Sequence, residues 1–235
     1  MSIFSAIVLA GGSGTRMHSD VPKQCINLMG APLITYALRT FSQSKVDEIV
    51  FVVPKGEEEA YYRDFVEKYH IEKVTKVIGG GEERYHSVYQ GLLQAKGDYV
   101  LIHDGARPFV TEEMINQSIE AVQTDRACVV AVPVKDTMKR AADDGFALET
   151  IDRNQLYQIQ TPQTFEKQLL LEAYQCILKE IEFGREMIVT DDAMMIELAT
   201  QVPVRLIEGS YTNIKITTPE DLIFGEAILK HLQKN

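Results

Sequence analysis

The chain has 235 residues, 45% of them hydrophobic, enough to bury one sizeable core without long disordered stretches. Its 24 basic residues stand against 34 acidic ones, a formal net charge of −10, which argues against a general nucleic-acid surface. No apolar run approaches the roughly 18 residues of a membrane span, no positive flank marks the apolar start as a secretory signal, and Cys25, Cys128 and Cys176 lack metal-ligand or Cys-x-x-Cys spacing. A cytoplasmic protein with reduced thiols, no membrane or nucleic-acid partner and no protein-held metal is expected.

In chain order, the apolar run Ile3–Leu9 predicts a buried strand that breaks into Ala10-Gly-Gly-Ser-Gly-Thr-Arg-Met17. This is not a P-loop, which needs Lys-Ser/Thr where Thr15-Arg16 stands, and not a dinucleotide fingerprint, which needs a small residue where Met17 stands. What remains is a loop whose amides at Gly11, Gly12 and Gly14 can approach an anion, with Arg16 and Lys23 beside it. Two cations and bare amides suit a triphosphate, although a plain strand-to-helix turn has the same glycines. Apolar positions 33, 34, 37, 38 and 41 form one helical face, and strands are predicted at Glu48–Val53 and Val74–Ile78. Gly79-Gly80-Gly81 then lets a flat ligand lie against the backbone, or is only a flexible connection, before a helix opened by Ser87.

The next strand, Tyr99–His103, runs into Asp104-Gly-Ala-Arg-Pro108, at the carboxyl end where open α/β sheets bind ligands. Asp104 and Arg107 therefore face the same crevice as the first loop, unless they form a surface ion pair. His103 reads as a buried, hydrogen-bonded residue rather than a catalyst. A helix with apolar positions 114, 115, 118, 119 and 122 is capped by Thr111 and followed by a strand at Cys128–Val132. Residues 134–155 break the alternation and suggest a polar hairpin, Thr137–Ala141 and Phe146–Ile151 around Asp143-Asp-Gly145, which is expected to project onto a partner subunit. Gln160-Thr161-Pro-Gln163 reads as a turn, with helices at 165–181 and 191–199, the second capped by Thr190. After a strand at Val204–Ile207, Lys215 alternates with Ile214 and Ile216 as on a strand, and Thr218-Pro219 starts the last helix. The fold class is α/β: a Rossmann-like, mainly parallel sheet flanked by helices with a protruding β-arm for dimerisation. One domain, 1–235, with the arm at about 134–155, is expected.

Together the motifs resemble nucleotidyltransferases that join a sugar or polyol phosphate to a nucleotide, and more closely the 2-C-methyl-D-erythritol 4-phosphate cytidylyltransferase family. The resemblance runs through Gly12-Ser-Gly-Thr-Arg-Met17, Pro22-Lys23, Gly80-Gly81 with Arg84 and Ser87, Asp104-Gly-Ala-Arg-Pro108, Pro133-Val-Lys-Asp-Thr-Met-Lys139, Asp152-Arg153, Thr161-Pro-Gln163, Thr190-Asp-Asp192 and Asn213-Ile-Lys-Ile-Thr217. It implies in-line attack of the acceptor phosphate on the α-phosphorus of CTP, with Mg²⁺ held mainly by the CTP phosphates. It implies that Arg16, Lys23 and Lys215 grip the triphosphate, with Ala10, Gly11, Gly12 and Gly14 along it. Gly80, Gly81 and Ser87 then address cytosine, Asp104 lies near the ribose or polyol hydroxyls, and Arg107, Thr190 and Lys215 lie near the acceptor. The arm of a homodimer would carry Thr137, catalytic Arg153 and Thr161 into the partner's pocket. Ala10-Gly11-Gly12 and Gly105 depart from the family's usual Ala-Ala-Gly and alanine, which weakens the substrate more than the reaction type. Ribitol 5-phosphate cytidylyltransferase, or a catalytically silent nucleotide-binding protein of the same fold, are the alternatives.

Overall fold

The computed structural model describes residues 2–11 and 22–232, without the side chain of Lys23. Gly12, Gly14 and Arg16 of the first loop lie outside the described residues. In chain order the main elements are β1 (Phe4–Leu9), a short hairpin of β2 (Asn27–Leu28) and β3 (Ala31–Pro32), α1 (Leu33–Gln43), β4 (Glu48–Val53), α2 (Glu58–Tyr61), β5 (Val74–Gly79) and α3 (Arg84–Gln94). Then follow β6 (Tyr99–Asp104), α4 (Glu112–Asp125), β7 (Ala127–Pro133), β8 (Met138–Ala141), β9 (Ala147–Ile151) and β10 (Tyr157–Glu166). The chain closes with α5 (Lys167–Glu182), α6 (Asp192–Ala199), β11 (Arg205–Glu208) and α7 (Pro219–Leu232).

A seven-stranded sheet in the order β11-β7-β10-β6-β1-β4-β5 forms the centre. All of its pairings are parallel except those of β10, which runs antiparallel between β6 and β7. The strands are apolar on both faces because helices cover both. Along β4, Ile49, Phe51 and Val53 pack with Ile34, Leu38, Phe41 and Ile115 of α1 and α4. Val50 and Val52 turn the other way, to Val88, Leu92, Leu170 and Tyr174 of α3 and α5. Thr111 caps α4, its Oγ1 accepting from the Met114 amide at 3.2 Å.

Three sequence expectations are corrected. The stretch Gln160–Gln163 lies inside β10 rather than in a turn, and the helix expected from residue 165 begins at Lys167. Proline normally argues against an interior strand; here the register against β7 shifts between Ile159 and Gln163, which accommodates Pro162. Lys215 lies on an irregular segment, not a strand, and Ile216 instead donates its amide to the Ala106 carbonyl at 2.8 Å. The expected hairpin is present: β8 and β9 pair only with each other, and Phe146 and Leu148 on it are 73% and 64% exposed.

The turn into β6 passes close to the start of β1, where the Gly97 amide donates to Ser5 Oγ at 2.7 Å. A Cβ at Gly97 would lie 2.7 Å from the Ser5 nitrogen and 2.8 Å from the Ile3 carbonyl, both backbone atoms with little freedom to move. Gly97→Ala is expected to lower unfolding free energy by about 1–3 kcal/mol, measured by urea denaturation, as for other overpacked sites.

Candidate active site

The site lies at the carboxyl ends of β1, β4, β5 and β6, where each strand passes directly into a loop held to its neighbour. The Ala10 amide donates to the Val52 carbonyl at 2.7 Å, that of Gly80 to Val53 at 2.8 Å and that of Gly105 to Leu9 at 2.8 Å. Gln24 Nε2 donates to the Ala10 carbonyl, fixing the other side of the first loop. The Gly81 amide donates to Ser87 Oγ at 3.1 Å, and that hydroxyl donates to the Glu83 carbonyl at 3.3 Å. A Cβ at Gly80 would fall 2.6 Å from Ser87 Oγ, so the close approach of loop and helix needs glycine there.

Asp104, the last residue of β6, is 9% exposed and both of its carboxylate oxygens are engaged. Oδ1 accepts from Arg84 Nε at 3.1 Å and Oδ2 from Lys215 Nζ at 2.7 Å. Burial alone would raise its pKa, but Arg84, Lys215 and Arg107 outweigh burial and hold the carboxyl far below the ordinary range. Arg84 is in turn gripped from behind: Nη1 and Nη2 donate to the two oxygens of fully buried Asp192 at 3.1 and 2.7 Å. Burial opposes the charge on Arg84, yet Asp192 and Asp104 prevail and raise its pKa well above normal. Tyr174 Oη donates to Asp192 at 2.6 Å, and Gln163 Oε1 accepts from the amides of Asp192 and Ala193, each at 3.0 Å.

His103 is fully buried and serves as a clamp. The Arg107 carbonyl can only accept, so His103 Nε2 carries the proton and donates to it at 3.0 Å. In the neutral ring Nδ1 then accepts from Thr161 Oγ1 at 3.0 Å, and that hydroxyl oxygen in turn accepts from the Asp104 amide at 3.2 Å. Burial, aided by Arg107 and Lys215, lowers the pKa of His103 to about 4. Arg107 Nη1 donates to the Asn213 carbonyl at 2.8 Å, which ties the loop after β6 to the segment carrying Lys215.

The Arg84–Asp104–Lys215 group stands between two cavities. One, about 320 Å³, is lined on its far side by Ala10, Gly11, Gly81 and Ser87. The other, about 290 Å³, is lined by Arg107, Thr161, Gln163 and Thr190. Three cations, Arg84, Arg107 and Lys215, line the second cavity beside the carboxylates Asp104 and Asp191, and this grouping of cations, rather than any net charge, suits phosphate ligands.

Most expected site residues are thus brought together, with differences. Thr190 does not cap α6; Asp191 does, its Oδ1 accepting from the Met194 amide at 3.1 Å, which leaves Thr190 lining the second cavity. Thr161 is not delivered by the arm to another subunit: it is buried in β10 and bonded to Asp104 and His103 of its own chain. Thr137 and Arg153 line neither cavity; both lie at the base of the arm, where Arg153 Nη1 donates to the Lys135 carbonyl at 2.6 Å. Lys23 falls in a single 3₁₀ turn, Lys23–Cys25. Arg84, Asp192 and Tyr174 had no role from sequence, since Arg84 meets Asp192 across 108 positions of chain.

A glycine-lined cavity and a cavity rimmed by cations share one carboxylate at the ends of a mainly parallel sheet, and the class of protein is a nucleotidyltransferase. The family model for IspD, 2-C-methyl-D-erythritol 4-phosphate cytidylyltransferase, matches residues 4–231, and the chain belongs to this family. The 2-C-methyl-D-erythritol 4-phosphate cytidylyltransferase of Lachnoclostridium phytofermentans is 47% identical over 99% of both chains, and that of Clostridium novyi 44% identical over 99% of both. The crystal structure of 4-diphosphocytidyl-2C-methyl-D-erythritol synthase from Anaerococcus prevotii superposes with a TM-score of 0.83 at 35% identity, covering 97% of this chain and 99% of that one. The Thermus thermophilus 2-C-methyl-D-erythritol 4-phosphate cytidylyltransferase gives 0.77 at 29% identity, covering 98% and 100%.

The His103 clamp makes stability pH-dependent with a defined sign. Its folded pKa, about 4, lies below the ordinary histidine value of 6.5, so the unfolded chain takes up the proton first and stability falls as pH drops between those values. His103→Gln is expected to flatten this loss by up to about 3 kcal/mol, compared by urea unfolding at neutral and acidic pH. Parallel pH dependences in the two proteins would contradict the neutral clamp.

Proposed function

We propose that this protein transfers a cytidylyl group from CTP to 2-C-methyl-D-erythritol 4-phosphate, releasing pyrophosphate. The observation that carries the reading is the family match along almost the whole chain, residues 4–231. An acceptor phosphate oxygen attacks the α-phosphorus; the new P–O bond forms as the bond to the β-phosphate oxygen breaks, giving 4-diphosphocytidyl-2-C-methyl-D-erythritol. A phosphate monoester is largely dianionic at neutral pH, with a second pKa of about 6, so no general base is needed. The difficulty is bringing two anions together, and positioning and cationic stabilisation supply most of the catalysis.

In this reading CTP occupies the first cavity, its base against Gly80, Gly81 and Ser87 and its phosphates along Ala10, Gly11, Gly12 and Gly14 toward Arg16 and Lys23. The acceptor occupies the second cavity with Arg107, Thr161 and Thr190. Asp104 meets ribose or polyol hydroxyls at the shared wall, and Lys215 exchanges Asp104 for phosphate oxygen as charge builds on the α-phosphorus. Mg²⁺ supplies further neutralisation of phosphate charge when bound. The residues suit an ion carried by the triphosphate, since both Asp104 oxygens are already engaged by cations.

We further infer a single nucleotidyltransferase domain, 1–235, working as a homodimer in the cytoplasm. The arm, with its exposed Phe146 and Leu148 and with Thr137 and Arg153 at its base, is the element that reaches the partner. No helix among the described residues is long and apolar enough to cross a membrane, and their three cysteines are free, in keeping with a reducing compartment.

Pyrophosphate release with CTP and Mg²⁺, run separately with methylerythritol 4-phosphate and ribitol 5-phosphate, tests the substrate. Turnover with the first alone is expected; turnover with ribitol phosphate alone would reassign the acceptor, and silence with both would favour the non-catalytic alternative. Lys215→Ala is expected to lower turnover about 100-fold or more, and a change within about twofold would remove its role. Arg153→Ala should weaken the acceptor far more than CTP. Mixing inactive Lys23→Ala and Arg153→Ala proteins should regain activity through hybrid sites, and no recovery despite subunit exchange would exclude a shared site.

A further inference from the structure

We propose that Arg84 is a positioning residue for this reaction, held in place by Asp192 and Tyr174, and that it keeps Asp104 fixed when Lys215 leaves for the substrate phosphates. The inference rests on the cytidylyltransferase reading for the roles of Asp104 and Lys215. Its own support is a row of alternating charges running inward from the site: Lys215, Asp104, Arg84, Asp192, and then the Tyr174 hydroxyl.

The geometry separates the roles of the two cations on Asp104. Lys215 holds Asp104 by one hydrogen bond from an irregular segment and, among the described residues, breaks no other side-chain hydrogen bond when it pivots away. Arg84 cannot, because three of its nitrogens are committed at once: two to Asp192 and Nε to Asp104. Asp192 is fully buried at the start of α6 and carries the Tyr174 hydroxyl on the oxygen that also accepts Arg84 Nη1. Tyr174 is itself fully buried in the core beneath α5. The guanidinium plane is therefore set by the hydrophobic core, and through it so is the Asp104 carboxylate. A lysine at position 84 has one ammonium and cannot span both carboxylates in this manner.

The groups facing Asp104 are Arg84 from α3, Lys215 from the segment before α7, Arg107 and neutral His103 from its own strand and loop, and the Thr161 hydroxyl bonded to its amide from β10. Once Lys215 turns to phosphate, Arg84 is the only one that still hydrogen-bonds the carboxylate among the described residues. Without it, a buried carboxyl beside incoming phosphates takes up a proton and loses its grip on hydroxyls as an acceptor.

The test follows pyrophosphate release by the full chain with CTP and methylerythritol 4-phosphate from about pH 5.5 to about pH 9. In Arg84→Gln, with both substrates saturating, the ratio of variant to wild-type kcat is expected to be constant on the alkaline side and to fall about tenfold per pH unit on the acid side, and Arg84→Lys to restore part of that acid loss. A ratio independent of pH overturns the proposal, since a purely structural defect scales activity equally at every pH. Should Arg84→Gln fail to fold, Tyr174→Phe, which removes one hydroxyl, is expected to lower kcat about three- to tenfold with KM for CTP within about twofold. The same change made in Arg84→Lys should then cost less than about twofold more; multiplicative losses would show that Tyr174 does not act through Arg84. Wild-type protein that releases no pyrophosphate would overturn the functional reading and this proposal with it, whereas active wild type with a flat ratio overturns this proposal alone.

Discussion

The sharing of one buried carboxylate by two cations is the constraint from which the rest of the site follows. Asp104 is ionised in a nearly solvent-free position because Arg84 and Lys215 each take one oxygen, with Arg107 adding to their field. The two cations come from distant parts of the chain, one at the start of α3 and one shortly before α7. Their meeting point is the wall that the two cavities share, and it places two cations there.

The clamp around His103 does the same for the backbone. A fully buried neutral ring links β6, β10 and the Arg107 carbonyl, and the Asp104 amide is held by the same threonine that holds the ring. Hydrogen bonds of this kind contribute modestly when made but cost the full desolvation of each group when broken. The arrangement accordingly fixes the backbone at the end of β6, which lines both cavities through Asp104. The irregular backbone lies nearby, at Gln160–Pro162 in β10, where departure from the ladder turns Gln160 and Thr161 toward the site.

Much of the fold was legible in the sequence because its signals are local. The strands β1, β4, β5, β6 and β7 are short apolar runs bounded by turn residues, and α1 and α4 carry single apolar faces. The orphan polar hairpin was legible for the opposite reason, as a stretch that no core could bury. β10 was not, because Pro162 and the polar run around it imitate a turn and only the neighbours β6 and β7 make it a strand. In the site, glycines and lone charges at strand ends pointed to Ser87, Asp104, Arg107 and Lys215 from spacing and likeness. Arg84 and Asp192 stood in the motifs without a role because what joins them is contact across 108 positions of chain, and Tyr174 in an amphipathic helix looks like ordinary core.

Pro133 and Tyr157 are register partners in neighbouring antiparallel strands, and the Val134 amide still reaches the Leu156 carbonyl at 3.0 Å. Everything between them is therefore an excursion from a closed ladder, whose two ends leave and re-enter the sheet side by side. Residues can be gained or lost within that excursion without altering the register of any strand beneath it. The reach of the arm is thus free to drift over evolutionary time while the sheet that carries Asp104 and Thr161 stays unchanged.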